Sequence, residues 1–309
     1  MWKVAVTSFV ILTLSRGVLS QCKPGDTCKP PNCRCWNDVD IPGGFQPKDV
    51  PQIIIVSFEY AVNRANVDSY IELFDGISNP NKCEPRGTFF VSELNTDFEV
   101  VKSLFDDGHE IAMTTPSGSI PLDAKEWKEA FAEMKAKITG AGIPEADITG
   151  TRGPELYIGG NDQFDSIVDN KLKYDSTCVS TEYIDKENLI WPYTYDFIEN
   201  TPACTIGETP AKPYPGKWQF LVADMKFGTT KCAAPSACSL LIKDSQDAFD
   251  FFYDSFALHY EGKTRAPFVM FIDPQWLTDT WIVTNQQALA WIKDPVPSAN
   301  ATDFAPWDC

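Results

Sequence analysis

The chain has 309 residues, with 43 acidic against 26 basic side chains, a formal charge of −17 at neutral pH, and ten cysteines. So acidic a surface repels nucleic acid and anionic lipid, which are polyanions, so neither is an expected partner. The length suits one large α/β domain with a full core.

The first residues read as a targeting segment. Lys3 precedes an apolar run from Val4 to Leu14, and small residues follow at Gly17 and Ser20. This is the pattern of a cleaved secretory signal over residues 1–20, too short to span a bilayer. No later apolar stretch offers a membrane anchor, so the expected location is extracellular. Removing Lys3 and Arg16 takes the mature charge from −17 to −19. An even number of cysteines in a secreted chain predicts disulfides among Cys22, Cys28, Cys33, Cys35, Cys83, Cys178, Cys204, Cys232, Cys238 and Cys309, with pairing left open. The first four crowd into a Cys-rich extension over 21–50; a zinc knuckle there is the weaker reading, because no histidine is near. Asn300 is a candidate for N-glycosylation.

From residue 51 the pattern alternates. Residues 52–58, "QIIIVSF", read as a strand buried on both faces, and 66–76 as a helix. Strand and helix repeat at 87–91 and 97–108, and "HEIAM" adds a strand at 109–113. The helix over 123–140 is the clearest: Asp123 and Glu126 suggest a capping box, and Trp127, Phe131, Met134 and Ile138 form an apolar stripe. "ADITGTR", a helix near 163–168 and "LKYDST" continue the series. Residues 178–217, rich in proline and aromatics, read as a long ordered loop pinned by Cys178 and Cys204. Strand 218–227, an aromatic helix over 244–262, strands at 267–273 and 280–285, and a helix over 286–294 complete a domain spanning 51–294, followed by a C-terminal tail, 295–309. Repeated βα units imply a parallel sheet, open or closed into a barrel, with function at the C-terminal ends of its strands.

Just past those strands stand Glu59 and Tyr60, then Thr114 to Gly118, Arg152 to Glu155, Asp175 and Asp273. Both histidines of the chain, His109 and His259, are expected to be structural. The stretches "CKPPNCRCWNDVDIPGGFQPKDVPQIIIVSF", "GHEIA", "GTRGPELYIGGNDQF", "YDST", "WPYTYDF", "HYEGKTRAPFVMF" and "IVTNQQALAWIKDP" resemble the animal chitin deacetylases, of the polysaccharide deacetylase family (carbohydrate esterase family four). That resemblance implies a distorted (β/α) barrel of the polysaccharide deacetylase type behind the short Cys-rich extension. It also implies chemistry on a divalent metal, usually zinc, held by one aspartate and two histidines.

Here the chain departs from its family. The motif Thr-Phe-Asp-Asp is "SFEY", which puts Glu59 at the base position and Tyr60 at the metal aspartate. The two metal histidines fall on Thr114 and Gly118. Arg152, Gly153 and Pro154 persist from Arg-x-Pro-Tyr, but Glu155 replaces the tyrosine whose backbone amide helps form the oxyanion hole, and the catalytic histidine becomes Asp273. The expectation is a pseudoenzyme that needs no cofactor and binds chitin or a related N-acetylglucosamine polymer. Trp191, Tyr193 and Trp276 are the candidate sugar contacts, with Tyr195 and Tyr214 as further aromatics. The competing reading is an active hydrolase or deacetylase rebuilt on carboxylates at Glu59, Glu155, Asp175 or Asp273. A rigid platform for a protein partner is the third.

Overall fold

The computed structural model describes residues 21–181, 189–233, 241, 243–269 and 280–307. Its strands are β1 (Gln52–Ile54), β2 (Ser57–Tyr60), β3 (Thr88–Val91), β4 (Glu110–Met113), β5 (Gly150–Thr151), β6 (Ile158–Gly159), β7 (Tyr174–Asp175), β8 (Tyr193–Tyr195), β9 (Gly207–Glu208), β10 (Tyr214–Gln219), β11 (Met225–Phe227), β12 (Thr230–Cys232) and β13 (Thr280–Ile282). Its helices are α1 (Val67–Glu72), α2 (Phe98–Asp106), α3 (Ala124–Gly140), α4 (Gly160–Asp169), α5 (Ser245–Tyr260) and α6 (Asn285–Lys293). The main sheet runs β2-β3-β4-β5-β7-β10-β8, parallel throughout except where β8 joins β10 antiparallel.

The strand expected over 52–58 is split because its partner changes. β1 pairs in parallel with β13 and bridges to Phe268, whereas β2 pairs with β3. Trp218 and Phe220, at the far side of the sheet, share one apolar core with Ile53, Ile55, Ala266 and Val269. The result is the expected distorted α/β barrel.

Helix α3 buries the predicted stripe, with Trp127, Phe131, Met134 and Ile138 all at most 2% exposed. Its cap differs by one residue from the expected box: Asp123 accepts from the Glu126 amide, while the Glu126 carboxylate accepts from the Leu122 amide. α3 lies so close to the start of α4 that a Cβ at Gly159 would fall 2.5 Å from the Trp127 ring, so only glycine fits there. Helix α6 is held to the lower end of the barrel by Glu110. That buried carboxylate accepts from the Tyr174 hydroxyl at 2.7 Å, the Gln286 amide at 3.0 Å and the Thr88 hydroxyl at 3.2 Å. A carboxylate suits the positive end of a helix.

The extension is stapled by Cys22–Cys35 and Cys28–Cys33 and docks on the outer edge of the sheet. The Thr194 amide of β8 donates to Arg34 O at 2.9 Å, and the Arg34 amide returns a bond to the Thr194 hydroxyl. Covering an edge strand in this way blocks pairing with another chain. Cys178–Cys204 pins the long loop as expected, and Cys83 and Cys232 are also disulfide-bonded. The segment expected as a tail packs on α6: Phe304 and Trp307 are buried, and the Trp307 indole donates to Gln287 O. Asn300 is exposed. Among the described residues no helix is long and apolar enough to cross a membrane. Cys238, Cys309 and residues 1–20 lie outside the described residues.

Candidate functional site

The parallel strands β2, β3, β4, β5 and β7 point their C-terminal ends toward one rim, and Arg152, following β5, organises it. Its guanidinium donates to Ser176 O at 2.6 Å, Glu59 Oε1 at 2.8 Å, Ser176 Oγ at 3.0 Å and Ser57 Oγ at 3.2 Å. It also lies 4.2 Å above the Phe90 ring. The Arg152 side chain is 5% exposed and that of Glu59 22%. Glu59 is thus held as the anionic half of an ion pair. Ser57, Phe90 and Ser176 are contacts that sequence reasoning missed; small hydroxyls and a core phenylalanine carry no motif that would mark them.

Tyr60 ends β2 in a left-handed conformation, φ 70°, which costs a non-glycine residue about 1 kcal/mol or more. Its ring lies against Gly118, also left-handed at φ 71°, so that a Cβ there would be 3.2 Å from two ring carbons. Its hydroxyl accepts from the Glu155 amide at 3.1 Å. Glu155 and Leu156 are themselves left-handed, φ 55° and 58°, which turns that amide toward Tyr60. One side chain therefore fills the space beside Gly118 and occupies the Glu155 amide. Thr114 is 2% exposed, and its hydroxyl has no hydrogen-bond partner among the described residues. The loop after β4 is closed by its own bonds, from the Gly118 amide to Thr115 O and the Thr115 hydroxyl to Ser119 O. Beside Tyr60 opens a cleft of about 590 Å³, bordered by Glu59, Arg152, Glu155 and the apolar Phe58, Leu156 and Phe252.

A zinc site of the family type does not fit these residues. Burial raises the Tyr60 phenol above its ordinary range, so it stays a neutral hydroxyl, Thr114 offers another, and Gly118 offers nothing. Neutral hydroxyls are poor zinc ligands beside thiolate, imidazole or carboxylate. Among the described residues the one convergence of three such groups is Cys22, Cys28 and Cys33, and all three are in disulfides.

Several expected positions lie elsewhere. Asp175 is not on the rim but fully buried beneath it, accepting from Gln163 Nε2 at 2.8 Å and from the Thr177 hydroxyl and amide at 2.6 and 2.9 Å. Burial lifts its carboxyl to about 6, against the donated hydrogen bonds. Trp191, Tyr193, Tyr195 and Tyr214 are at most 3% exposed, so they are core rather than sugar-facing aromatics. The reason is pairing: β8 joins the sheet, Trp191 stacks on Trp291, and its indole donates to Thr264 O. His109 and His259 are buried, and burial holds both down to about 4, so they are neutral and structural at neutral pH. Asp273 and Trp276 lie outside the described residues.

No protein-family model matches the chain. It is 30% identical over 305 residues to chitin deacetylase 8 of Bombyx mori, covering 88% of this chain and 78% of that protein. It is 27% identical over 319 residues to chitin deacetylase 1 of Bombyx mori, covering 91% of this chain and 58% of that longer protein. Among solved structures, the chitin deacetylase of the fungal pathogen Colletotrichum lindemuthianum aligns with a TM-score of 0.34 and 12% identity, over 47% of this chain and 64% of that one. With 30% identity across more than two thirds of both sequences, the chain belongs to the chitin deacetylase family.

Proposed function

We propose that this protein is a secreted, non-catalytic member of its family that binds chitin or another N-acetylglucosamine polymer in an extracellular matrix. The observation that carries the loss of catalysis is Tyr60, whose ring stands against Gly118 and whose hydroxyl accepts the Glu155 amide. Hydrolysis of an acetamide by this family's chemistry calls for a Lewis acid, an activated water and a free oxyanion donor. Tyr60 stands against all three. Glu59 is engaged by the Arg152 guanidinium at 2.8 Å. Secretion is supported by the apolar leader and by paired cysteines. The ligand class is supported by the names of the relatives, both chitin deacetylases.

The test uses the secreted full-length chain. Acetate release from N-acetylglucosamine oligomers is expected to stay at background with or without added zinc, while the protein is retained on chitin beads. Zinc-dependent acetate release would refute the pseudoenzyme reading. New reducing ends without acetate would favour the carboxylate hydrolase, and failure to bind chitin would remove the ligand assignment.

A further inference from the structure

Asn300-Ala301-Thr302 is the one Asn-x-Ser/Thr triplet of the chain, and its middle residue is not proline. In a secreted protein such a triplet is the acceptor of an amide-linked oligosaccharide. Attachment asks for an asparagine side chain that stands in solvent and is not engaged elsewhere. Asn300 meets both demands: it is exposed, and its side chain makes no hydrogen bond among the described residues. Its backbone is fixed in the 3-10 turn Ser298–Asp303, where the Asn300 amide donates to Pro297 O at 2.9 Å.

Asn300 also lines a cleft of about 480 Å³ between that turn and the end of α6. Ala290 of α6, Val296, Phe304 and Pro306 give the cleft apolar walls, and Asp294 and Asp303 stand exposed on its border. The walls are tied down. The Trp291 indole donates to Val296 O at 2.9 Å, the Trp307 indole to Gln287 O at 2.9 Å, and Asn81 Nδ2 to Trp307 O at 3.2 Å. Neither aspartate is in an ion pair among the described residues, so both can accept hydrogen bonds from an occupant. A pyranose has an apolar C–H face and a border of hydroxyl donors, which matches apolar walls edged by carboxylates.

We infer that Asn300 is covalently modified by an N-linked oligosaccharide whose first sugar seats in this cleft and braces the C-terminal segment against α6. In the attachment step Nδ2 forms a bond to C1 of a sugar whose C1–O bond to a lipid-carried diphosphate breaks. The diphosphate leaves with the bonding electron pair, and the amide gives up one proton to a base of the transferase. Because the attachment point itself lines the cleft, the first sugar starts there, and the tether supplies a high effective concentration that makes little intrinsic affinity necessary. The inference rests on the secretory reading, since the glycosyl donor is met in the secretory lumen, and it asks nothing of Tyr60 or of any ligand on the rim.

The full chain with its own leader, produced in a eukaryotic secretory host and recovered from the medium, is weighed intact by mass spectrometry. Its mass should exceed that of the processed polypeptide and fall to it on enzymatic deglycosylation. The excess should vanish in Asn300→Gln and Thr302→Ala and persist in Thr302→Ser. Trimming the oligosaccharide to its first sugar should leave Tm unchanged. Asn300→Gln and Thr302→Ala should melt about 2 to 4 °C lower, the shift that one modest contact gives a chain of roughly this size, and Thr302→Ser should melt with the parent. Removing the last sugar from the folded parent repeats the comparison without a variant that has to fold. Unmodified protein in the medium would overturn the inference while leaving secretion standing, and protein retained in the cells with its leader uncleaved would overturn both. A glycan whose complete removal leaves Tm unchanged would show that the first sugar does not seat in the cleft and would overturn the bracing role.

Discussion

Replacing Arg152 by methionine should destabilise the fold by about 3 kcal/mol, and the structure sets that magnitude. The substitution removes four donated hydrogen bonds and leaves Glu59 beside the core without its counter-charge. Breaking a buried pair by deleting one partner typically costs about 3 to 5 kcal/mol. Glu59 keeps 22% of its side-chain surface and can rehydrate in part, which places the expectation at the lower end. Methionine retains contact with the Phe90 face, so little packing is lost. Glu59→Gln alone should cost about 1 kcal/mol, because the amide oxygen still accepts from Arg152. The double variant no longer holds an uncompensated charge, so it should be less destabilised than the sum of the two, with a coupling of about 1 to 2 kcal/mol. Urea denaturation at neutral pH with the disulfides intact measures all three. A cost below about 1 kcal/mol for Arg152→Met, or strict additivity, would show that solvent screens the pair and that Arg152 does not organise the rim.

Removing Cys178–Cys204, which spans 26 residues, should cost about 3.5 kcal/mol by loop entropy, and removing Cys28–Cys33, which spans 5, about 2 kcal/mol; denaturation of the alanine pairs would refute this by reversing their order. Tyr60→Asp with Thr114→His and Gly118→His should raise zinc affinity without a matching gain in acetate release. Tyr60→Asp clears the ring from Gly118, although a histidine at φ 71° costs about 1 to 2 kcal/mol. A folded triple variant that binds zinc no better than the parent, by calorimetry, would show that these positions do not converge. Stability also carries a pH signature. His109 and His259 titrate near 4 in the fold against an ordinary 6.5, so their contribution is complete above about 6.5 and is lost as pH falls toward 4. Asp175 works in the opposite sense: its carboxyl, raised to about 6 from an ordinary 3.8, gains stability as pH falls through that window. Asp175→Asn should therefore lose stability more steeply than the parent between about pH 6 and 4, and parallel melting curves would refute the assignment.

Periodicity alone determined much of the barrel. The stripe Trp127, Phe131, Met134, Ile138 repeats at helical spacing, so α3 and its buried face were legible, as were β3 and β4 from short apolar runs between turns. That Tyr60, Thr114 and Gly118 bring no carboxylate, imidazole or thiolate was equally legible, because it is a matter of residue type. Position in space was not. A stretch such as "WPYTYDF" has the same composition whether its rings face sugar or core, and only the pairing of β8 with β10 turned Trp191, Tyr193 and Tyr195 inward. Asp175 lies at the C-terminal end of its strand much as Glu59 lies near the end of its own, yet one is buried beneath the rim and the other stands on it. Tyr60 shows the division most clearly. Sequence said what it is not, a metal ligand. That its ring lies on Gly118 and its hydroxyl holds the Glu155 amide depended on three left-handed residues, Tyr60 at the end of β2, Gly118 after β4 and Glu155 after β5. Local propensity opposes that conformation at the two non-glycine positions, so only the surrounding tertiary contacts could impose it.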